Sequence, residues 1–145
     1  MLAAGVAGTP TALRAEATNE VVWAADITAD TTWSSTNVYL MHGLVHVLAP
    51  ATLTIEAGTV IKGFESGSIT TGEAASALFV TAGAKLRAVG TPTQPIIFTS
   101  EFDDTSGPSP LGLFERGLWG GVVVMGSAVL NTSSSTAGND ATNSF

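Results

Sequence analysis

The sequence predicts an all-β chain wound as a parallel β-helix of about three coils, each with three short strands. Three observations carry this. Between Val45 and Lys62 the apolar residues come in beats, Val45/Val47, Leu53/Ile55 and Val60/Ile61. Each beat is too short for a helix, and two of them alternate with the period of a strand that buries one face. Turn signals, Ala49-Pro50 and Ala57-Gly58, separate the beats. The beats then return at fixed offsets. Val45 to Leu78, Val47 to Val80, Leu53 to Leu86 and Ile55 to Ala88 are each 33 residues apart. Leu78 to Val122, Val80 to Val124 and Leu86 to Leu130 are each 44 apart. Internal spacing that persists while the connection changes length marks a solenoid with variable loops.

Stacked coils pair each strand in parallel with its equivalent, about 4.8 Å away. The register predicts two inward columns, Val47 with Val80 and Val124, and Leu53 with Leu86 and Leu130. Ile96/Phe98 supplies the third beat of the second round, with Gly83 and Gly90-Thr91-Pro92 at its corners. Gly and Pro suit corners because they meet the sharp backbone turns there. Right-handed winding is the general preference for parallel crossovers.

Going along the chain, residues 1–20 read as a leader or signal-peptide remnant. They are rich in Ala and Gly and end near Ala15-Glu16-Ala17, but Pro10 and Arg14 interrupt any apolar core. Residues 21–43 read as an N-terminal capping segment, with Trp23 and Trp33 expected to lie across the first coil, because solenoid ends need cover. Residues 44–130 hold the coils. Residues 131–145 form a tail in which ten of fifteen residues are Ser, Thr or Asn, a linker composition and an expected truncation point.

Several stretches, taken in order, resemble a known family. They are Asp30-Thr31-Thr32-Trp33, Val38-Tyr39-Leu40, the run Ala51 to Gly63, Pro95-Ile96-Ile97-Phe98-Thr99-Ser100 and Arg116-Gly117-Leu118-Trp119-Gly120-Gly121. Together they resemble the N-terminal part of secreted bacterial right-handed parallel β-helix repeat proteins of the cell-surface, sorting-signal or lipoprotein type. The resemblance covers roughly Ile27 to Asn131 and implies right-handed winding and an extracellular or cell-surface address. It implies little about activity.

Composition narrows the function. The chain has 145 residues, a net charge of −7 and no cysteine. Five basic residues against twelve acidic ones argue against nucleic acid, which requires a clustered Lys/Arg footprint. Cys-based zinc, thiol chemistry and disulfides are excluded. No apolar run is long enough for a membrane-spanning helix.

The compact acidic group Glu101, Asp103 and Asp104 lies in the loop from Thr99 to Gly117 and is the one candidate metal site, for calcium, which takes oxygen ligands. For catalysis this group would need a partner on a neighbouring coil, and Glu65 and Glu73 on the preceding loop are the only obvious candidates. His42 and His46 are four apart and could begin a zinc site, but no third ligand is identifiable. Lys85 and Arg87 flank Leu86 and should face solvent. No nucleophile elbow or catalytic triad order is present.

The expected role is a non-enzymatic scaffold, adhesion or assembly module, a fragment of a longer protein. The alternative is a carbohydrate-active β-helix enzyme or sugar-binding module whose decisive coils lie outside this sequence. Expected partners are further coils of the same protein or a second copy, through an open C-terminal coil edge, and surface polysaccharide.

Overall fold

The computed structural model describes residues 19–105, 111–112 and 115–126. Ten short strands follow one another: β1 (Asn19–Trp23), β2 (Thr31–Trp33), β3 (Asn37–Met41), β4 (Leu44–Val47), β5 (Thr52–Ile55), β6 (Val60–Gly63), β7 (Ala77–Val80), β8 (Lys85–Ala88), β9 (Ile97–Ser100) and β10 (Gly121–Val124). They build three sheets in which every pairing is parallel. Sheet A has the order β1-β3-β6-β9, sheet B the order β10-β7-β4, and sheet C the order β2-β5-β8. The chain visits B, then C, then A, and repeats. This is a parallel β-helix.

The predicted register holds wherever residues are described. Val47 pairs with Val80 and Val80 with Val124. Leu53 pairs with Leu86 and Ile55 with Ala88. Leu130, the expected third member of the Leu column, lies outside the described residues, as do Ala128, residues 1–18 of the expected leader and all of the expected tail 131–145.

Residues 21–43 contribute a coil. Ile27 bridges Val47 on sheet B, β2 opens sheet C, and β3 continues sheet A. Trp33 faces inward and is fully enclosed, stacked on Tyr39 with ring centroids 4.7 Å apart. Trp23, at the end of β1, meets Trp33 edge-on at 5.6 Å. The indoles therefore close the upper end, one inside the coil and one across it.

Local chemistry explains the corners. Glu56-Ala57-Gly58-Thr59 and Thr81-Ala82-Gly83-Ala84 each close with a backbone bond from the fourth residue to the first, Thr59 N–H to Glu56 O at 3.2 Å and Ala84 N–H to Thr81 O at 3.0 Å. Gly58 and Gly83 both have φ of +87°, at the third turn position, where a type II turn requires glycine. Side chains then stitch one coil to the next. Asp26 Oδ1 accepts from the His46 amide at 3.0 Å, Asp30 Oδ1 from Thr52 at 2.8 Å, Glu56 Oε2 from Ser35 at 3.0 Å and Glu101 Oε1 from Glu65 at 2.9 Å. Carboxylates thus satisfy amides on β4 and β5 and in the turns beside strands.

The core lies between the three sheets and is apolar, with Ile27, Trp33, Met41, Val45, Val47, Leu53, Ile55, Ile61 and Leu78 enclosed. One inward position is glycine. A Cβ on Gly63 would lie 2.8 Å from Trp119 Cβ and 2.9 Å from its ring, so the missing side chain leaves the room that the indole fills.

Candidate functional site

The outer face of sheet C carries an open recess. Because Leu53 and Ile55 point inward, Thr52 and Thr54 point out. Parallel register then aligns Thr32 with Thr54 and Arg87, and Thr52 with Lys85. Asp30 stands at the upper edge, held by the Thr52 amide. These side chains line an open groove of about 370 Å³. Lys85 and Arg87 are exposed, as their alternation with Leu86 predicts, and neither is in an ion pair among the described residues. Two of the five basic residues of a chain with net charge −7 therefore share one polar groove beside threonine hydroxyls.

Sequence reasoning places Lys85 and Arg87 outward but does not join them to Thr32, Thr54 or Asp30. The coil holding Thr32 precedes the next by 22 residues, as Trp33 to Ile55 and Tyr39 to Ile61 show, instead of 33. That second offset is the signal that connects the groove.

The two histidines do not come together on a common ligand. His46 lies on the outward face of β4, stacked on Phe79 at 5.2 Å, and its Nδ1 sits 2.9 Å from Asp26 Oδ1. The His46 side chain, by hydrogen bond first, then its amide and its charge, holds the Asp26 carboxyl below the usual aspartate range, against a smaller opposing effect of burial. His42 occupies the corner between β3 and β4, with Phe64 edge-on at 5.0 Å, and its Nε2 faces Ser68 and Thr70.

The acidic loop is also committed to local structure. Glu101 caps the Glu65 amide at 2.9 Å. Asp103 Oδ2 accepts from the Thr99 hydroxyl at 2.8 Å, and its Oδ1 from the Thr105 amide at 3.1 Å. Of the two candidate partner carboxylates, Glu65 approaches this loop through its backbone, whereas Glu73 packs against Gly43. Among the described residues no three His, Cys, Asp or Glu side chains are grouped to hold a metal ion, Glu101, Asp103 and Asp104 included. No helix among them is long and apolar enough to cross a membrane.

At the lower end Phe98 and Trp119 stack at 6.5 Å and, with Thr99, Ser100, Leu118 and Glu115, line a smaller recess of about 230 Å³. Glu115 Oε2 already accepts from the Gly112 amide at 3.0 Å.

Comparison with curated proteins and with solved structures finds no match. The family model described as a pectate-lyase-like beta helix domain matches residues 25–145. The match starts just above the Ile27 bridge and takes in all three coils, so coiled strands and sequence agree: this chain belongs to the pectate-lyase-like β-helix domain family.

Proposed function

We propose that this chain is an extracellular β-helix module that holds an acidic polysaccharide along the outer face of sheet C without cleaving it. The observation that carries this reading is the groove itself, where two cations that form no ion pair among the described residues are set among threonine hydroxyls on a parallel sheet. A guanidinium receives a carboxylate through two parallel hydrogen bonds, and an ammonium receives it as a point charge. Threonine hydroxyls both donate and accept, which suits sugar hydroxyls. The family description, which names a pectate lyase, supports a carboxylated glycan as the class. Hydrolysis of a glycosidic bond usually uses two flanking carboxylates. Among the described residues lining the groove the carboxylate is Asp30, engaged by the Thr52 amide. A fixed, non-catalytic surface on a stackable solenoid suits adhesion or scaffolding. The lower end, where Val122 and Val124 are exposed, is the natural seat for further coils or a second copy.

Binding isotherms with polygalacturonate and with a neutral dextran test the reading. The acidic polymer should bind, the dextran should not, and added salt should weaken the interaction. Lys85→Ala/Arg87→Ala should reduce binding about tenfold or more, the loss of at least one charge-assisted contact. Undiminished binding by that variant would reject the groove. Release of unsaturated uronide, followed by ultraviolet absorbance, would replace a holding role with a lyase.

A further inference from the structure

The segment 64–76, between β6 and β7, folds back over the corner made by His42 and Gly43. Ser76 Oγ accepts from the Gly43 amide at 3.0 Å, and both partners are buried. Thr71 Oγ1 and Glu73 Oε2 press on Gly43 so closely that a Cβ there would lie 2.7 and 2.9 Å from them. Gly43 has φ of +96°, a conformation glycine adopts without strain. The segment is therefore a strap seated on a glycine corner. Its middle is hydrogen-bonded to His42 Nε2.

That nitrogen faces two partners with opposite demands. The Thr70 amide lies 3.1 Å away and can only donate, and the Ser68 carbonyl lies 3.2 Å away and can only accept. The Thr70 hydroxyl, at 3.4 Å, can do either. A bare Nε2 takes the Thr70 N–H. An Nε2 that carries a proton must release that amide and donate to Ser68 instead. We propose that His42 is a proton-sensitive latch for the strap 64–76, anchored to the Thr70 amide when Nε2 is bare and to the Ser68 carbonyl when the ring is protonated.

Charged groups lie close to the latch. Glu73 sits in the strap against Gly43, with its Oε2 shielded from solvent. The Thr71 hydroxyl, then the backbone, and to a lesser degree the fields of His42 and His46 keep the Glu73 carboxyl below its ordinary range, against a weak effect of burial. It is thus held in its charged form beside the His42 corner. His46 on β4 is the other titratable ring on this side, and Asp26 is its counter-ion. Glu65, at the start of the strap, directs its Oε1 toward Gly67 and completes the set of charged groups on the segment. Phe64, edge-on to the His42 ring, limits its freedom to turn away. Acidification thus moves the anchor two residues back along the strap while Ser76 keeps its far end fixed.

Amide hydrogen exchange and imidazole nitrogen shifts, read by NMR on the whole chain from pH 5 to 8, test the latch. Corrected for intrinsic exchange, Thr70 protection should drop about fivefold on acidification, the equivalent of one ordinary hydrogen bond. Its midpoint should coincide with that of the His42 ring. In His42→Gln the transition should vanish, and in His46→Gln it should persist. Constant Thr70 protection while the His42 ring titrates would overturn the proposal, as would the same transition in His42→Gln. Should His42→Gln fail to fold, agreement or disagreement of the two midpoints in the unaltered chain decides.

Discussion

Leu53 and Leu86 stand one coil apart in the same column, yet only Leu53 is fully enclosed. Leu53 lies between Thr31 above and Leu86 below. Leu86 is half-buried. The sheet B column repeats the contrast more strongly: Val47 and Val80 are enclosed, whereas Val124 is 67% exposed and its neighbour Val122 38%. Identical side chains in identical register therefore contribute according to how many coils cover them. In a solenoid a residue's worth is set by its neighbours along the axis, so nearest-neighbour interfaces carry much of the stability.

That contrast can be broken by mutation. Leu53→Ala should cost about 2–5 kcal/mol, because the transfer loss adds to a cavity that two coils keep from collapsing. Leu86→Ala should cost less, about 1–2 kcal/mol, since part of its surface is already wet. Urea denaturation of both variants measures the difference. Equal costs would mean that the lower end is as well covered as the middle.

Overpacking tests the same boundary from the other side. Gly63→Ala must displace Trp119, and the expected cost is about 1–3 kcal/mol. Thermal unfolding of Gly63→Ala with and without Trp119→Ala should show the penalty shrinking when the indole is removed.

The upper coil offers the smallest effect. The Asp26 carboxyl is held below its ordinary pKa of 3.8, mainly by the His46 side chain. A lowered folded-state value means that the contribution is complete above the ordinary value and is lost as pH falls through the lowered one. Both partners are partly exposed, with side-chain exposures of 33% and 45%, so the expected size is no more than about 1 kcal/mol. The acid-side slope of stability should be shallower in Asp26→Asn. An unchanged slope would show that the clip contributes nothing. The acidic loop supplies a matching control. Millimolar calcium should leave the unfolding midpoint unmoved, because Glu101 and Asp103 are committed to backbone and hydroxyl partners.

Much of this fold is legible in the sequence because inward positions in successive coils must be apolar and must coincide. Val47, Val80 and Val124 advertise that coincidence, as do Leu53 and Leu86. The first coil is harder to read. Its inward residues are Ile27, Trp33 and Tyr39, and its offsets to the next coil are 20 and 22 residues, because the turns at Ser34–Thr36 and His42–Gly43 are short. Terminal coils depart from the repeat, and the segment expected as a cap also pairs with all three sheets. The groove on sheet C needs both offsets at once, 22 from Thr32 to Thr54 and 33 from Thr54 to Arg87, and neither alone discloses it. Contacts such as Trp119 against Gly63, or Asp26 against His46, depend on how loops fold back and leave no periodic trace.

The 33-residue register is the claim on which the columns, the groove and the two-ended contrast all rest, and an engineered disulfide tests it most directly. The chain has no cysteine, so any bridge that forms is the one introduced. Thr54 and Arg87 are register partners on the solvent face of sheet C. Their Cα atoms should be about 4.8 Å apart, within disulfide range. Thr54 and Lys85 share that face but are offset by two residues along the strand, which puts their Cα atoms beyond the limit of about 7 Å. Under mild oxidation Thr54→Cys/Arg87→Cys should close to a bridged monomer, and Thr54→Cys/Lys85→Cys should remain free. A bridge in the second pair and not in the first would contradict the register.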